Sequence, residues 1–280
     1  MRLTGKTALV TGTSPNICGG IAEALADEEA SVVCVDLNLE YAMRCAEAIN
    51  GRGGRAIGLV CDVTDEDQVR FTRYFGTPVE HVRKQRQRRV KEIFIISNVK
   101  ENSEPIGALG SELIDFHSDL SYLPKPGTIS LLYAVEIPAQ GGDTQWCDCR
   151  AAYDSLPRQR QDYLRTLHAV HRHYVEEQNP PEPTVHPVVR THPETGRLSL
   201  YVNPHLTSHI DGLPRHEGDA LLRELYDHMD QPRFTLTHEW QVGDMVMWDN
   251  RPTMHRRLAF PQDQRRIMNR TQVFGEEVVE

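Results

Sequence analysis

The sequence predicts an α+β chain in two unequal parts: a short βαβαβ unit, then a larger strand-rich part with a few outer helices. Three observations carry that reading. Apolar strands, glycine-bearing turns and helical stretches alternate strictly through the first 65 or so residues. Strand–turn–strand phrases such as HPVVRTHPETGR and QVGDMVMWDN follow downstream. Finally, His117 and Asp119 lie two residues apart in DFHSDLSY, so on a strand both would point into a barrel interior while Ser118 points away.

The first part opens with an apolar strand, Thr7 to Val10, a Gly-bearing turn (TGTSPNICGG), and a helix-like run from Gly20 to Ala26. A second strand, SVVCVD, ends in Asp36. A helical stretch, NLEYAMRCAEAIN, leads through GRGG to a third strand, AIGLVCD, at 56–62. This is the order of a dinucleotide-binding half. It resembles the start of the short-chain dehydrogenases, with Gly12, Gly20, Asp36 and Asp62 where that family binds its cofactor. The likeness is partial. Asn16 and Cys18 stand where the phosphate turn usually has glycines, and Cys18 adds bulk where backbone should approach pyrophosphate. No Tyr is followed four residues later by Lys, the pair that those reductases need. Residues 1–65 are therefore expected to be a truncated Rossmann-like unit without reductase chemistry, with NAD bound weakly or not at all.

The junction, DVTDEDQVRFTRYFGTP, reads as a helix from Asp65 to Tyr74 capped by Thr64, with Asp67 at its third position. The boundary is placed at 65/66. A unit this small buries little apolar surface, and parallel strands are normally covered on both faces. Strand 56–62 is therefore expected to extend or abut the second part's sheet, unless a second subunit of a homo-oligomer supplies the cover.

In the second part, the basic run Arg83 to Lys91 reads as a solvated segment before the strand EIFIIS. Val99 to Gly110 reads as a mobile, lid-like loop. Tyr153 to Leu167 and Glu217 to Met229 read as outer helices. Pro193 to Gly196 and Gly243–Asp244 read as turns. His168 and His171 would share a face on a helix but have no carboxylate at ligand spacing.

The chemistry centres on His117, Asp119 and His255, the last in WDNRPTMHRR. Two imidazoles and a carboxylate are the ligand set of a facial iron(II) site that keeps three positions open. His-x-Asp alone is weak among 13 histidines. The downstream His255, and Arg266 eleven residues later, make the pattern specific: a fixed cation near such a metal could anchor the far carboxylate of 2-oxoglutarate. On a strand, Arg266, Met268 and Arg270 share one face and Ile267 and Asn269 the other, so two arginines could hold two different anions through their planar forks.

From about Phe71 onward the chain resembles the taurine and aryloxyalkanoate dioxygenase family. The matching phrases are FHSDLSYLPKPGTISLLYAVEIPAQGGDTQW, HPVVRTHPETGRLSLYVNP and GDMVMWDNRPTMHRRLAFPQDQRRIMNR. The resemblance implies a double-stranded β-helix (jelly-roll) over 66–280 and an iron(II)- and 2-oxoglutarate-dependent dioxygenase. In it, His117, Asp119 and His255 would ligate the metal, and Thr144 and Arg266 would anchor 2-oxoglutarate. Arg270 would meet the acidic group of a small anionic organic substrate, hydroxylated with O₂ and release of succinate and CO₂. Leu113 replaces a polar amide of the taurine enzyme and Phe116 a tryptophan, which implies a more apolar substrate pocket with Leu113 in its wall. Aryloxyalkanoates, alkyl sulfates and larger natural-product acids stay open.

A net charge of −9 argues against general nucleic-acid binding. No apolar run reaches about 18 residues, so no membrane span is expected, and the N-terminus lacks a signal-peptide pattern. The six cysteines show no paired zinc spacing; Cys147 and Cys149 are read two apart on a strand, one of them at the surface. A cytoplasmic protein with reduced thiols is expected. Two other functions compete with the active dioxygenase. One is a non-catalytic or impaired fusion that keeps only metal or ligand binding, because the usual N-terminal dioxygenase segment is replaced. The other, disfavoured by the missing Tyr/Lys pair, is an NAD-dependent oxidoreductase.

Overall fold

A computed structural model describes residues 3–13, 17–36, 38–60, 65–80, 90–276 and 278–279. Asn16, Asp62, Thr64 and the basic residues 83–89 lie outside these, so the expectations placed on them concern undescribed positions. The chain divides into two compact units, Met1–Tyr74 and Phe75–Glu280.

The first unit alternates β1 (Thr7–Thr11), α1 (Ile17–Asp27), β2 (Ser31–Asp36), α2 (Leu39–Gly51), β3 (Arg55–Val60) and α3 (Asp65–Thr72). The strands form one parallel sheet with β2 in the centre. Asn38 caps α2, its side chain accepting from the Glu40 amide at 2.9 Å. Ala22, Val32, Cys34, Ala46 and Ile49 close the small core. The third strand was expected to extend or abut the second part's sheet, and the extension is not found among the described residues. Instead, the α2 crossover returns it parallel to β2, and β3 is hydrogen-bonded to no other described strand. The division falls between Tyr74 and Phe75, after α3, not at 65/66.

The second unit continues with β4 (Phe94–Ser97), β5 (Lys100–Glu101), β6 (Glu104–Pro105), β7 (Ala108–Leu109), β8 (Ile114–His117), β9 (Ile129–Glu136) and β10 (Thr144–Asp148). Then come α4 (Cys149–Asp154), α5 (Arg158–Leu164), β11 (His168–His171), β12 (Thr184–Pro187), β13 (Val189–Thr191), β14 (Leu198–Leu200), β15 (Thr207–Ile210) and α6 (Arg215–Met229). It ends with β16 (Thr235–His238), β17 (Met245–Asp249), β18 (Thr253–Arg257) and β19 (Ile267–Gln272). Two sheets dominate, in the orders β16-β10-β18-β8 and β17-β9-β19-β4-β7. Their facing side chains, Trp146 from the first and Leu132, Trp248, Phe94 and Met268 from the second, meet in one apolar cluster. A second cluster joins α4, α5 and the inner face of α6 (Leu221, Leu222, Leu225, Met229) to strands β13 to β15 and their flanks. The outer helices thus bury one apolar stripe each.

Several local expectations are corrected. Tyr153–Leu167 is two short helices, broken at Pro157, whose ring excludes the preceding residue from helical backbone. Val99–Gly110 is a β5–β6 ladder plus β7, which lies parallel to β4, with Val99 and Ile106 buried. Gly107 permits that approach, since a Cβ there would lie 2.6 Å from the Ile95 carbonyl oxygen. His168–His171 is a strand; His168 is exposed, while His171 is buried beside His186 and Tyr201. Cys149 opens α4, and both Cys147 and Cys149 are buried.

Candidate active site

The two sheets bring together what the sequence spaces far apart. His117 ends β8, and His255 sits opposite it in the antiparallel β8–β18 ladder. Their rings are 4.3 Å apart. Asp119 does not lie on the strand, contrary to the alternation argument. It sits in the turn after β8, where Leu120 takes a left-handed φ of 59°. The turn, not a shared strand face, aims the carboxylate. Side chains of the neighbouring sheet fasten it: His186 Nε2 meets the Ser121 and Leu123 carbonyls at 3.0 and 3.1 Å, and Thr184 Oγ1 donates to the Tyr122 carbonyl at 2.7 Å. Such clamps are what a non-glycine residue in left-handed backbone requires.

One ligand atom each from His117, Asp119 and His255 lies within 4.8 Å of the others. Nε2 of His117 is 3.9 Å from Asp119 Oδ1, and Nε2 of His255 is 3.8 Å from Oδ2. His117 Nδ1 lies 2.8 Å from the Asp115 carbonyl, so it carries the proton and leaves the Nε2 lone pair for a metal. Burial lowers the pKa of His117 and pushes His255 down to about 3, so both rings are neutral. Burial would raise the Asp119 carboxyl. Arg270, His255, His117 and the Ser130 hydroxyl outweigh it and hold the group well below the usual carboxylate range. Two neutral nitrogens and one ionised oxygen, converging and nearly dry, fit a divalent metal.

Three buried residues that the sequence reading missed support the carboxylate. Ser130 Oγ donates to Asp119 Oδ2 at 2.6 Å, Asn250 Nδ2 donates to Ser130 Oγ at 2.9 Å, and Trp248 Nε1 donates to Asn250 Oδ1 at 3.0 Å. Nothing in their spacing marks them, because their role depends on one sheet facing the other.

Two chambers adjoin the triad. The inner one is lined by His255, Trp248, Thr144, Arg257 and Arg266 among others. The outer one is lined by Asp119, Tyr122, Tyr174, His205, Leu206 and Phe94. His117, Ile114, Leu109 and Arg270 border both. Thr144 Oγ1 accepts from Trp240 Nε1 at 3.0 Å; an indole only donates, so the threonine hydrogen is free to be given to a ligand. Arg266 is 2 % exposed, and its Nε and Nη2 have no hydrogen-bond partner. Those orphan donors fit an anion such as a carboxylate. Arg270 gives Nη1 to Asp119 Oδ1 at 3.1 Å, lies over the Phe94 ring, and keeps an unpartnered Nε.

Leu113 departs from expectation. It is 53 % exposed and lines neither chamber. Three steps on β8, from His117 to Ile114, span two on β18, from His255 to Arg257. This bulge shifts the facing by one residue, so Ile114 takes the cavity position that strict alternation gives to Leu113.

Residues 45–272 match the family described as taurine catabolism dioxygenase TauD, TfdA family. The chain belongs to this family. It is a 2-oxoglutarate-dependent non-haem iron dioxygenase on the TauD-like jelly roll, and the enzymes of this family use iron(II) and 2-oxoglutarate. It is 38 % identical to the alpha-ketoglutarate-dependent 2,4-dichlorophenoxyacetate dioxygenase of Cupriavidus pinatubonensis, over 78 % of this chain and 83 % of that one. It is 33 % identical to the pentalenolactone F synthase of Streptomyces avermitilis, over 75 % and 77 %. Among solved structures, a taurine dioxygenase from Burkholderia xenovorans superposes with a TM-score of 0.65 at 33 % identity, over 78 % of this chain and 74 % of that one. AAD-2 in complex with Mn(II) and N-oxalylglycine superposes with a TM-score of 0.67 at 28 % identity, over 100 % and 98 %. Residues 6–82 match the short chain dehydrogenase family, so the two matched ranges overlap across 45–82. No helix among the described residues is long and apolar enough to cross a membrane.

Proposed function

We propose that this dioxygenase hydroxylates a small anionic organic substrate, with His117, Asp119 and His255 as the iron ligands. The observation that carries it is the pairing of the triad with two cation-bearing chambers, both bordered by His117 and Arg270. When bound there, iron(II) supplies the redox chemistry by which O₂ and 2-oxoglutarate give succinate, CO₂ and a hydroxylated product.

The chain's own residues do the rest. Thr144 and Arg266 hold the distal carboxylate of 2-oxoglutarate in the inner chamber. Arg270 offers its free Nε to the acidic group of the substrate in the outer chamber, with Phe94 against its guanidinium. Tyr122, Tyr174 and Leu206 take the apolar body and exclude water. The 2,4-dichlorophenoxyacetate, alkylsulfate and sulfate-ester enzymes among the relatives favour such an acid. The whole constellation is built from residues after Phe75, which favours a working enzyme over a binding-only fusion.

We also propose that the first unit is a truncated Rossmann-like half that binds NAD weakly or not at all and does no reductase chemistry, in a cytoplasmic protein. Anaerobic addition of iron(II) and 2-oxoglutarate should give a weak visible charge-transfer band. Alanine at His117, Asp119 or His255 should abolish succinate formation while circular dichroism stays native. Succinate formed by all three variants would end the assignment.

A further inference from the structure

Arg257 is used by no step above, yet it is among the most costly residues in the chain to bury. It is 6 % exposed and lines the inner chamber with Arg266. Its Nη2 donates to the Glu112 carbonyl, while Nε and Nη1 have no partner. Arg266 likewise leaves Nε and Nη2 without partners. Among the described residues, neither guanidinium forms an ion pair with a carboxylate. Both guanidiniums lie over the Phe260 ring, at 5.4 and 6.0 Å from its centroid. Two buried, unpaired cations in one chamber are stable only against an anion.

The strand register says where that anion ends. Arg257 is the direct cross-strand partner of Thr144 in the β10–β18 ladder, so the two side chains stand side by side on one face. On β18, His255 and Arg257 are two residues apart and face the same way, about 6.6–6.8 Å along the strand. That is comparable with the reach of a five-carbon diacid held by its 2-oxo end near His255.

We infer that Arg257 is a second clamp on the distal carboxylate of the co-substrate, gripping it together with Arg266 and Thr144 and restricting the inner chamber to dianionic 2-oxo acids. The inference rests on the assignment of this chamber to 2-oxoglutarate. One fork meets each carboxylate oxygen, and the threonine hydroxyl completes the set. A 2-oxo acid without the distal carboxylate leaves both buried cations unmatched.

The test is calorimetric titration of the Mn(II)-loaded full chain with 2-oxoglutarate and with 2-oxopentanoate, which has the same chain length but no distal carboxylate. The wild type should favour 2-oxoglutarate strongly. Arg257→Leu should weaken 2-oxoglutarate about 10- to 100-fold, the range for losing a hydrogen bond to a charged group, and leave 2-oxopentanoate within threefold. Arg257→Lys keeps the charge without the fork and should fall between. It carries the test if the leucine variant does not fold, and wild-type affinity in the lysine variant would then overturn the inference. Wild-type affinity in Arg257→Leu overturns it as well. If Arg266→Leu loses 2-oxoglutarate while Arg257→Leu does not, only the role of Arg257 falls. If the wild type shows no preference between the two acids, the chamber assignment falls with it.

Discussion

Replacing Ser130 by Ala removes one oxygen from a fully buried position and tests how the metal carboxylate is held. The Ser130 hydroxyl donates to Asp119 Oδ2 at 2.6 Å and accepts from Asn250 Nδ2 at 2.9 Å. Truncation strips the carboxylate of a charge-assisted hydrogen bond and leaves the Asn250 amide without that acceptor. A hydrogen bond to a charged group contributes about 1.5–3 kcal/mol. Partners that orient a metal ligand typically govern about 10- to 100-fold in metal affinity. Metal affinity should therefore fall by that factor, and the metal-free protein should lose about 1–3 kcal/mol of stability. Trp248, 4.6 Å from the His255 ring, provides a fluorescence signal for anaerobic Fe(II) or Mn(II) titration. Urea unfolding reports the stability. Ser118→Ala is the control: that hydroxyl lies between the two ligands in sequence but donates to the Thr253 carbonyl at 3.0 Å. It should bind metal within twofold of wild type. A Ser130→Ala protein with unchanged metal affinity, or a Ser118→Ala protein that loses as much, would refute the reasoning.

Three further outcomes are expected. Burial pushes the His171 ring down to about 3 and the His186 ring down to about 4, both below the 6.5 of an unfolded chain. Their contribution to stability is complete above pH 6.5 and falls by about 1.4 kcal/mol per ring and per pH unit as pH drops toward those values; urea titrations of metal-free protein at pH 7.5 and 5.0 should show it, with one proton fewer taken up in His171→Gln. Gly275→Ala places a Cβ 2.0 Å from the Pro126 carbonyl oxygen, so it should cost about 1–3 kcal/mol and lower the melting temperature measured by calorimetry. NAD should bind weakly or not at all in isothermal titration, and no alcohol should reduce it; tight binding would restore a cofactor role to the first unit.

The sequence by itself singled out the candidate site residues and determined the local elements. Two-residue alternation and Gly-, Pro- and Asp-rich turns are short-range signals, so β2, α2, the turn before β17 and the β13–β14 pair are legible without coordinates. The phrases around His117, Thr144, His255, Arg266 and Arg270 carried the family. Tertiary structure decided everything that depends on two strands meeting. Asp119 reaches the site through a turn held by His186 and Thr184, not through strand alternation. Ile114 displaces Leu113 because a bulge on β8 shifts its facing by one residue. Ser130, Asn250 and Arg257 gain their roles only when β9, the loop after β17, and β18 converge. Hydrogen bonds and unpaired charges across sheets are long-range facts, and a one-dimensional spacing rule holds no information about which strand lies opposite which.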